Sequence, residues 1–219
     1  MKAYLEKLQT TVWRTSGSRY NASRRLKRRE LFSTISLAIF SALSIIIAVV
    51  QRIYSASIEG TPDLDNLLTA LSICMGLFIL VFTLMEWGAA NGVKAYILHR
   101  NAEDLNALQS KIGHMISKDS KDQEKNITWD NANSLRVEYE EIKGSCAENH
   151  TPADDKYFLT TKRRSPEFEY LKLTALKAGI AWLIWNGSSV WYYAGLWAIT
   201  TYAMWNALSK IHVVANACA

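Results

Sequence analysis

The sequence holds few residues whose types and spacing could do chemistry. Glu148, Asn149 and His150 stand just ahead of Asp154 and Asp155. Carboxylates beside an imidazole can hold a metal or relay a proton, yet a single histidine in one loop, with no second at ligand spacing, specifies neither. The three cysteines, Cys74, Cys146 and Cys218, are far apart and read as small buried hydrophobes. A P-loop, a GxSxG elbow and an HExxH helix are all missing from the sequence. No catalytic residue, metal ligand or cofactor is expected, and the chain reads as something other than an enzyme.

Two other groups carry physical rather than covalent chemistry. Ser33, Ser36, Ser41, Ser44 and Gln51 share one side of a helix when turned at about 100° per residue. Thr69, Ser72, Gly76 and Thr83 do the same in a later apolar run. In lipid such faces either pack against other helices, where small side chains allow close approach, or line a wet pore. Both uses call for a homo-oligomer, since two spans, or even four, enclose no useful pore alone. The other group is basic: Arg14, Arg19, Arg24, Arg25, Lys27, Arg28 and Arg29. Residues 1–30 hold nine Lys or Arg against Glu6 and Glu30, while the rest of the chain is net negative. A basic segment abutting a membrane helix fixes topology and touches anionic headgroups; a partner or nucleic acid is the other surface it suits.

The elements that must position these residues are helices. Leu31 to Val50 is twenty residues without a charge, directly behind the basic run. At about 1.5 Å per residue it covers the roughly 30 Å hydrocarbon core of a bilayer. Upstream, Leu5, Leu8, Val12, Thr15, Ala22 and Leu26 make a seam of three and four, and with no proline between them that helix runs on into the span. Gly17 is its only weak point. A second apolar run, Leu67 to Met85, follows a short acidic connection containing Glu59, Gly60 and Pro62. Lys94, His99 and Arg100 beyond it, with the Arg-rich start, place both ends of the hairpin in the cytoplasm. Helical spacing continues through Ile97, Leu105, Leu108 and Ile112 to about residue 116. SKDSKDQEKN (117–126) reads as solvated loop, and Ala132, Leu135, Tyr139 and Ile142 mark an amphipathic helix over 129–146. The uncharged, aromatic-rich stretch 178–208 breaks at Asn186, Gly187, Ser188 and Ser189 and reads as a second hairpin.

The expected fold is therefore an all-α membrane protein of three parts. Residues 1–116 form an N-terminal transmembrane hairpin (about 31–51 and 66–87) extended into a cytoplasmic helical bundle. Residues 117–166 supply the cytoplasmic amphipathic helix and loop, and 167–219 a C-terminal hydrophobic hairpin (about 172–186 and 190–208).

Two patches carry a resemblance to a known family. The first is Trp13, Arg14 and Thr15, followed by Arg19-Tyr20 and the basic run before a serine-rich span. The second is Tyr139 and Ile142, then Glu148, Asn149, His150, Asp154 and Tyr157-Phe158. Over roughly residues 5–160 the chain resembles the SLATT group, the SMODS and SLOG-associating two-transmembrane effectors, and most of all its fifth family. The resemblance implies a bacterial antiviral effector that oligomerises in the inner membrane and permeabilises it when a cytoplasmic sensor reports phage. The implied partner is a reverse transcriptase, or in other SLATT families a nucleotide second-messenger system. The alternative is a non-conducting anchor or scaffold for a nucleic-acid-synthesising partner.

Overall fold

The computed structural model describes residues 1–53, 62–121 and 127–217. Seven α-helices occur among the described residues, and no strand: α1 (Lys2–Ile53), α2 (Pro62–Ala89), α3 (Asn91–Lys121), α4 (Trp129–Gly144), α5 (Pro152–Thr161), α6 (Ala175–Gly187) and α7 (Trp191–Ala217). Residues 54–61 of the acidic connection, with Glu59, and residues 122–126 lie outside the described residues; Pro62 opens α2, and residues 117–121, expected as loop, are the last turn of α3. Two compact units result: Met1–Arg28 with Asn91–Ser189, and Arg29–Ala90 with Val190–Ala219.

The first unit is built on the N-terminal half of α1. Leu5, Leu8 and Val12 bury against Leu105, Leu108 and Ile112 of α3 and against Ala132, Leu135 and Tyr139 of α4. Further along, Ser16 Oγ donates to Ala102 O at 2.9 Å and Ser23 Oγ to Ala95 O at 2.7 Å. The residue numbers rise on one helix as they fall on the other, so α1 and α3 are antiparallel. Serine opposite alanine brings the backbones close enough for a hydroxyl to reach the neighbouring carbonyl. Gly17 has a specific use here. A Cβ at this position would stand 2.1 Å from Phe158 Cε2, so the bare backbone is what lets the Phe158 ring lie on α1. Trp13 and Phe168 close around the same ring at centroid distances of 5.6 and 5.7 Å.

Local capping starts the later helices. Thr128 accepts from Asn131 N to begin α4, and Thr174 accepts from Lys177 N to begin α6. Thr151 and Asp154 form a reciprocal capping box around Pro152, which sits in the first turn of α5. At 13 residues α6 reaches about 20 Å, well short of a bilayer core. Instead it buries Ala181 and Trp185 within the first unit.

The second unit joins the C-terminal half of α1 to α2 and α7. Phe40 and Ile47 of α1 meet Leu68 and Met75 of α2, with Leu196, Trp197 and Met204 of α7 packed beside them. Phe40 and Phe78 form an edge-to-face pair at 5.1 Å. The apolar stretches in Lys2–Ile53 and Asp65–Asp119 are long enough to cross a membrane, and only 22% and 17% of them is buried. A soluble core helix would be mostly buried. Here Ile45, Ile46, Val49, Leu77, Leu80, Val81 and Leu84 face outward, the arrangement lipid favours. The second stretch is interrupted once, at Ala90, whose φ of 48° ends α2. The two halves of the expected C-terminal hairpin fall in different units, α6 in the first and α7 in the second. Among the described residues, the helices long and apolar enough to span are Lys2–Ile53 and Asp65–Asp119.

Candidate functional site

The small polar residues of the two apolar helices meet different fates. Ser33 and Ser36 are buried, Ser44 and Ser72 half-buried, and Ser41, Thr69, Gly76 and Thr83 exposed. Ser36 Oγ donates to Phe32 O at 2.7 Å and accepts from Trp197 Nε1 at 2.9 Å. Gln51 Nε2 donates to Thr69 Oγ1 at 3.1 Å, pairing the far ends of α1 and α2. Thr83 is satisfied by the carbonyl of Ile79 in its own helix. Gly76 stands in open space, since a Cβ there would meet nothing within 4 Å.

Glu86 is a residue that the spacing arguments passed over. It is the only carboxylate between Asp65 and Glu103, at the end of an apolar run, and that isolation is a signal of its own. In the second unit it accepts from the hydroxyls of Tyr192 (3.2 Å) and Tyr193 (3.1 Å), with Arg29 Nε at 4.0 Å. Tyr193 also reaches Arg29 O at 3.1 Å and is wholly buried. One carboxylate thus ties α1, α2 and α7 together beside the stacked Phe78 and Phe82 rings.

In the first unit the acidic pair of the second sequence patch folds back onto the first. Asp154, with no exposed surface, accepts from Arg25 Nε (3.0 Å) and Nη2 (3.1 Å), Thr151 N (2.9 Å), Thr151 Oγ1 (2.7 Å) and Trp185 Nε1 (2.9 Å). Burial alone would raise its carboxyl pKa. The Arg25 guanidinium and the Thr151 donors outweigh that and hold it below the usual carboxylate range. Asp155 pairs with Arg14 through two bonds of 2.7 and 2.6 Å and accepts from Ser18, and its carboxyl is depressed in the same way against the pull of burial. Tyr157 stacks on Trp185 at 4.3 Å, nearly coplanar. The loop motif is thus a clamp that fastens α5 and α6 to α1.

The remaining motif residues tie α1 to α3 and α4 or lie in the loop ahead of α5. Thr15 shares a 3.0 Å hydrogen bond with Tyr139 OH. Arg19 is buried, bonded to Asn101 Oδ1 and, at 3.2 Å, to Lys143 O. Asn149 Oδ1 accepts from His150 N at 2.9 Å, and Glu148 lies 4.0 Å from Lys94. His150 lowers its pKa through burial and keeps a buried Nδ1 without a partner. It lines a cleft of about 660 Å³ with Lys7, Arg14, Asp155 and Glu167, whose formal charges cancel, so no net field invites an anion. Among the described residues no three His, Cys, Asp or Glu gather to hold a metal.

The basic run is largely spent internally. Arg28 bonds Asn186 and lies 4.4 Å from the Trp185 ring centroid; Arg29 lies over Tyr192 at 5.7 Å. With Arg14, Arg19 and Arg25 already paired, Arg24 and Lys27 are left exposed. Asn21, which donates to Asp154 O at 3.2 Å and completes the clamp, carries no local pattern that marks it.

Helices without strands among the described residues, two of them long, apolar and turned outward, define a class of protein that works inside a bilayer. Residues 1–206 match the SMODS and SLOG-associating 2TM effector domain family 5 (SLATT_5), and the chain belongs to that family. It is a membrane effector protein. No curated protein and no solved structure matches it.

Proposed function

We propose that this protein is the membrane-permeabilising arm of a bacterial anti-phage, abortive-infection system. It sits in the inner membrane with both termini in the cytoplasm, and copies assemble when a cytoplasmic partner senses infection. A reverse transcriptase is the first partner to test, a nucleotide second-messenger system the second. The observation that carries this reading is α1 itself. Its apolar part is largely unburied, and the same unbroken helix supplies the seam of the first unit, which gives a signal received there a route to the span. The anchor or scaffold alternative, with or without nucleic-acid contact, relies on a free basic helix. Five of the seven basic residues are engaged within their own units, which leaves that reading little surface.

The test is membrane potential in cells carrying the protein with and without its partner, before and after phage challenge. Depolarisation that requires both partner and phage supports the effector reading. A potential that never changes while the partner is lost from the membrane on deletion of this protein makes it an anchor.

A further inference from the structure

The helix α6 is apolar on nearly every side, and the protein covers only one of them. Its inner side is fixed by Trp185, which donates to Asp154 at 2.9 Å, stacks on Tyr157 at 4.3 Å and lies 4.4 Å from the Arg28 guanidinium. Ala181 is buried on the same side. The outer side holds Leu176, Ile180, Leu183 and Ile184, each between 47% and 74% exposed. Turned as a helix, these four fall within an arc of about 100°. Gly179 and Gly187 also stand in open space, with nothing within 4 Å of an added Cβ. A helix that is hydrophobic all round belongs in a protein core or in lipid, and the clamp on Trp185 keeps this one from turning its outer face inward.

Three features select lipid as the cover, at the surface of a bilayer and not across it. An apolar helix of 13 residues is too short to cross and suits lying along the boundary. Exposed Tyr170 and Trp182 flank the face, rings of the kind that settle among headgroups. The charge is also complementary to anionic lipid. Lys172 and Lys177 are exposed at the start of α6, Lys162, Arg163 and Arg164 precede them against Glu167 and Glu169, and no Asp or Glu follows Glu169 in the sequence. Lysine stems lie along an aliphatic face while their ammonium groups reach phosphate. A second copy docked face to face brings these lysines together, with no carboxylate on the helix to offset them.

We infer that the Leu176, Ile180, Leu183 and Ile184 face of α6 lies in the boundary between headgroups and acyl chains of an anionic leaflet, with Lys172 and Lys177 on lipid phosphates. The unit that carries the clamp is thereby a lipid-binding module in its own right, whether or not the membrane is permeabilised.

The test uses the full chain, with Cys74, Cys146 and Cys218 replaced by Ala, in phosphatidylcholine nanodiscs with and without phosphatidylglycerol. A fluorophore is placed on Leu183→Cys or, as the water-facing control, on Val137→Cys of α4. With phosphatidylglycerol present, lipid carrying a nitroxide near the headgroup end of its acyl chain should quench position 183 and spare position 137, and aqueous acrylamide should do the reverse. Each lysine near an anionic surface is worth about fivefold, so Lys172→Gln with Lys177→Gln should shift position 183 from lipid to water on the order of tenfold or more. Lys172→Arg with Lys177→Arg should leave it in lipid, which guards against a misfolded variant. Acrylamide quenching of position 183 in both kinds of disc overturns the inference. Shielding from both quenchers gives the face to a second copy or another protein and overturns it equally. Lipid quenching that is the same in both discs and in the glutamine variant overturns the recognition of anionic lipid.

Discussion

Replacing Asp154 by Asn is the sharpest probe of the clamp. The wild-type carboxylate is fully buried and accepts five hydrogen bonds, two of them from Arg25, whose side chain is 17% exposed. Asp154→Asn keeps the shape and one acceptor oxygen but turns an NH2 group towards donors and strips the charge from Arg25's partner. Breaking a buried ion pair from one side costs about 3–5 kcal/mol. Because Arg25 keeps some contact with water and one oxygen survives, the expected loss is about 2–3 kcal/mol, or roughly 5–10 °C in melting temperature. With two units present, the local assay is decisive: amide hydrogen exchange across α5 and α6 should speed up while α4 stays protected. Tryptophan fluorescence melting in detergent gives the second readout. The depressed folded-state pKa sets the pH dependence. This group's contribution is fully present above its unfolded pKa near 4 and is lost as pH falls from there through the folded value. Asp154→Asn should flatten stability over that window. Unchanged exchange in α5 and α6, together with a melting shift within about a degree, would refute the reasoning.

Four further outcomes are expected. Gly17→Ala drives a methyl group to 2.1 Å from Phe158, which should cost about 1–3 kcal/mol, whereas Gly113→Ala meets only the movable tip of Gln9 and should be neutral or slightly stabilising; thermal melts of the two distinguish them. His150, its pKa lowered by burial, is held neutral, so stability should fall as pH drops below the unfolded value near 6.5, and His150→Gln should remove that slope in a pH series of melts. Ser41→Leu with Ser44→Leu should leave an assembled but silent complex if these serines line a conduction path, and a dispersed one if they pack helices; crosslinking scored with depolarisation separates the two. A cysteine at Glu59 should label from the periplasm and one at Lys121 should not, the reverse pattern inverting the topology.

The long elements were legible because their causes are local. Twenty uncharged residues behind five basic ones, with no proline from Met1 to Gln51, specify one continuous helix, and α1 is that helix. The period of Ala132, Leu135 and Tyr139 marks a buried stripe, and those residues are buried. What stayed hidden depends on partners between about thirty and a hundred and forty residues away. Nothing near Asp154 names Arg25 or Trp185, and nothing near Arg14 names Asp155. Gly17 read as a weak point, since the ring that needs its bare backbone belongs to Phe158. The aromatic halves around Asn186 look alike in composition, so the sequence pairs them with each other, whereas Trp185 is drawn to Asp154 and Trp197 to Ser36.

The position of α7 along the chain has a consequence for biosynthesis. The helix that covers Ser33 and Ser36 begins at Trp191, so it leaves the ribosome long after α1 and α2 have entered the bilayer. At about 5–20 residues per second, the roughly 140 residues between Ile53 and Trp191 take on the order of ten seconds to make. Throughout that interval each nascent chain carries its serine face uncovered.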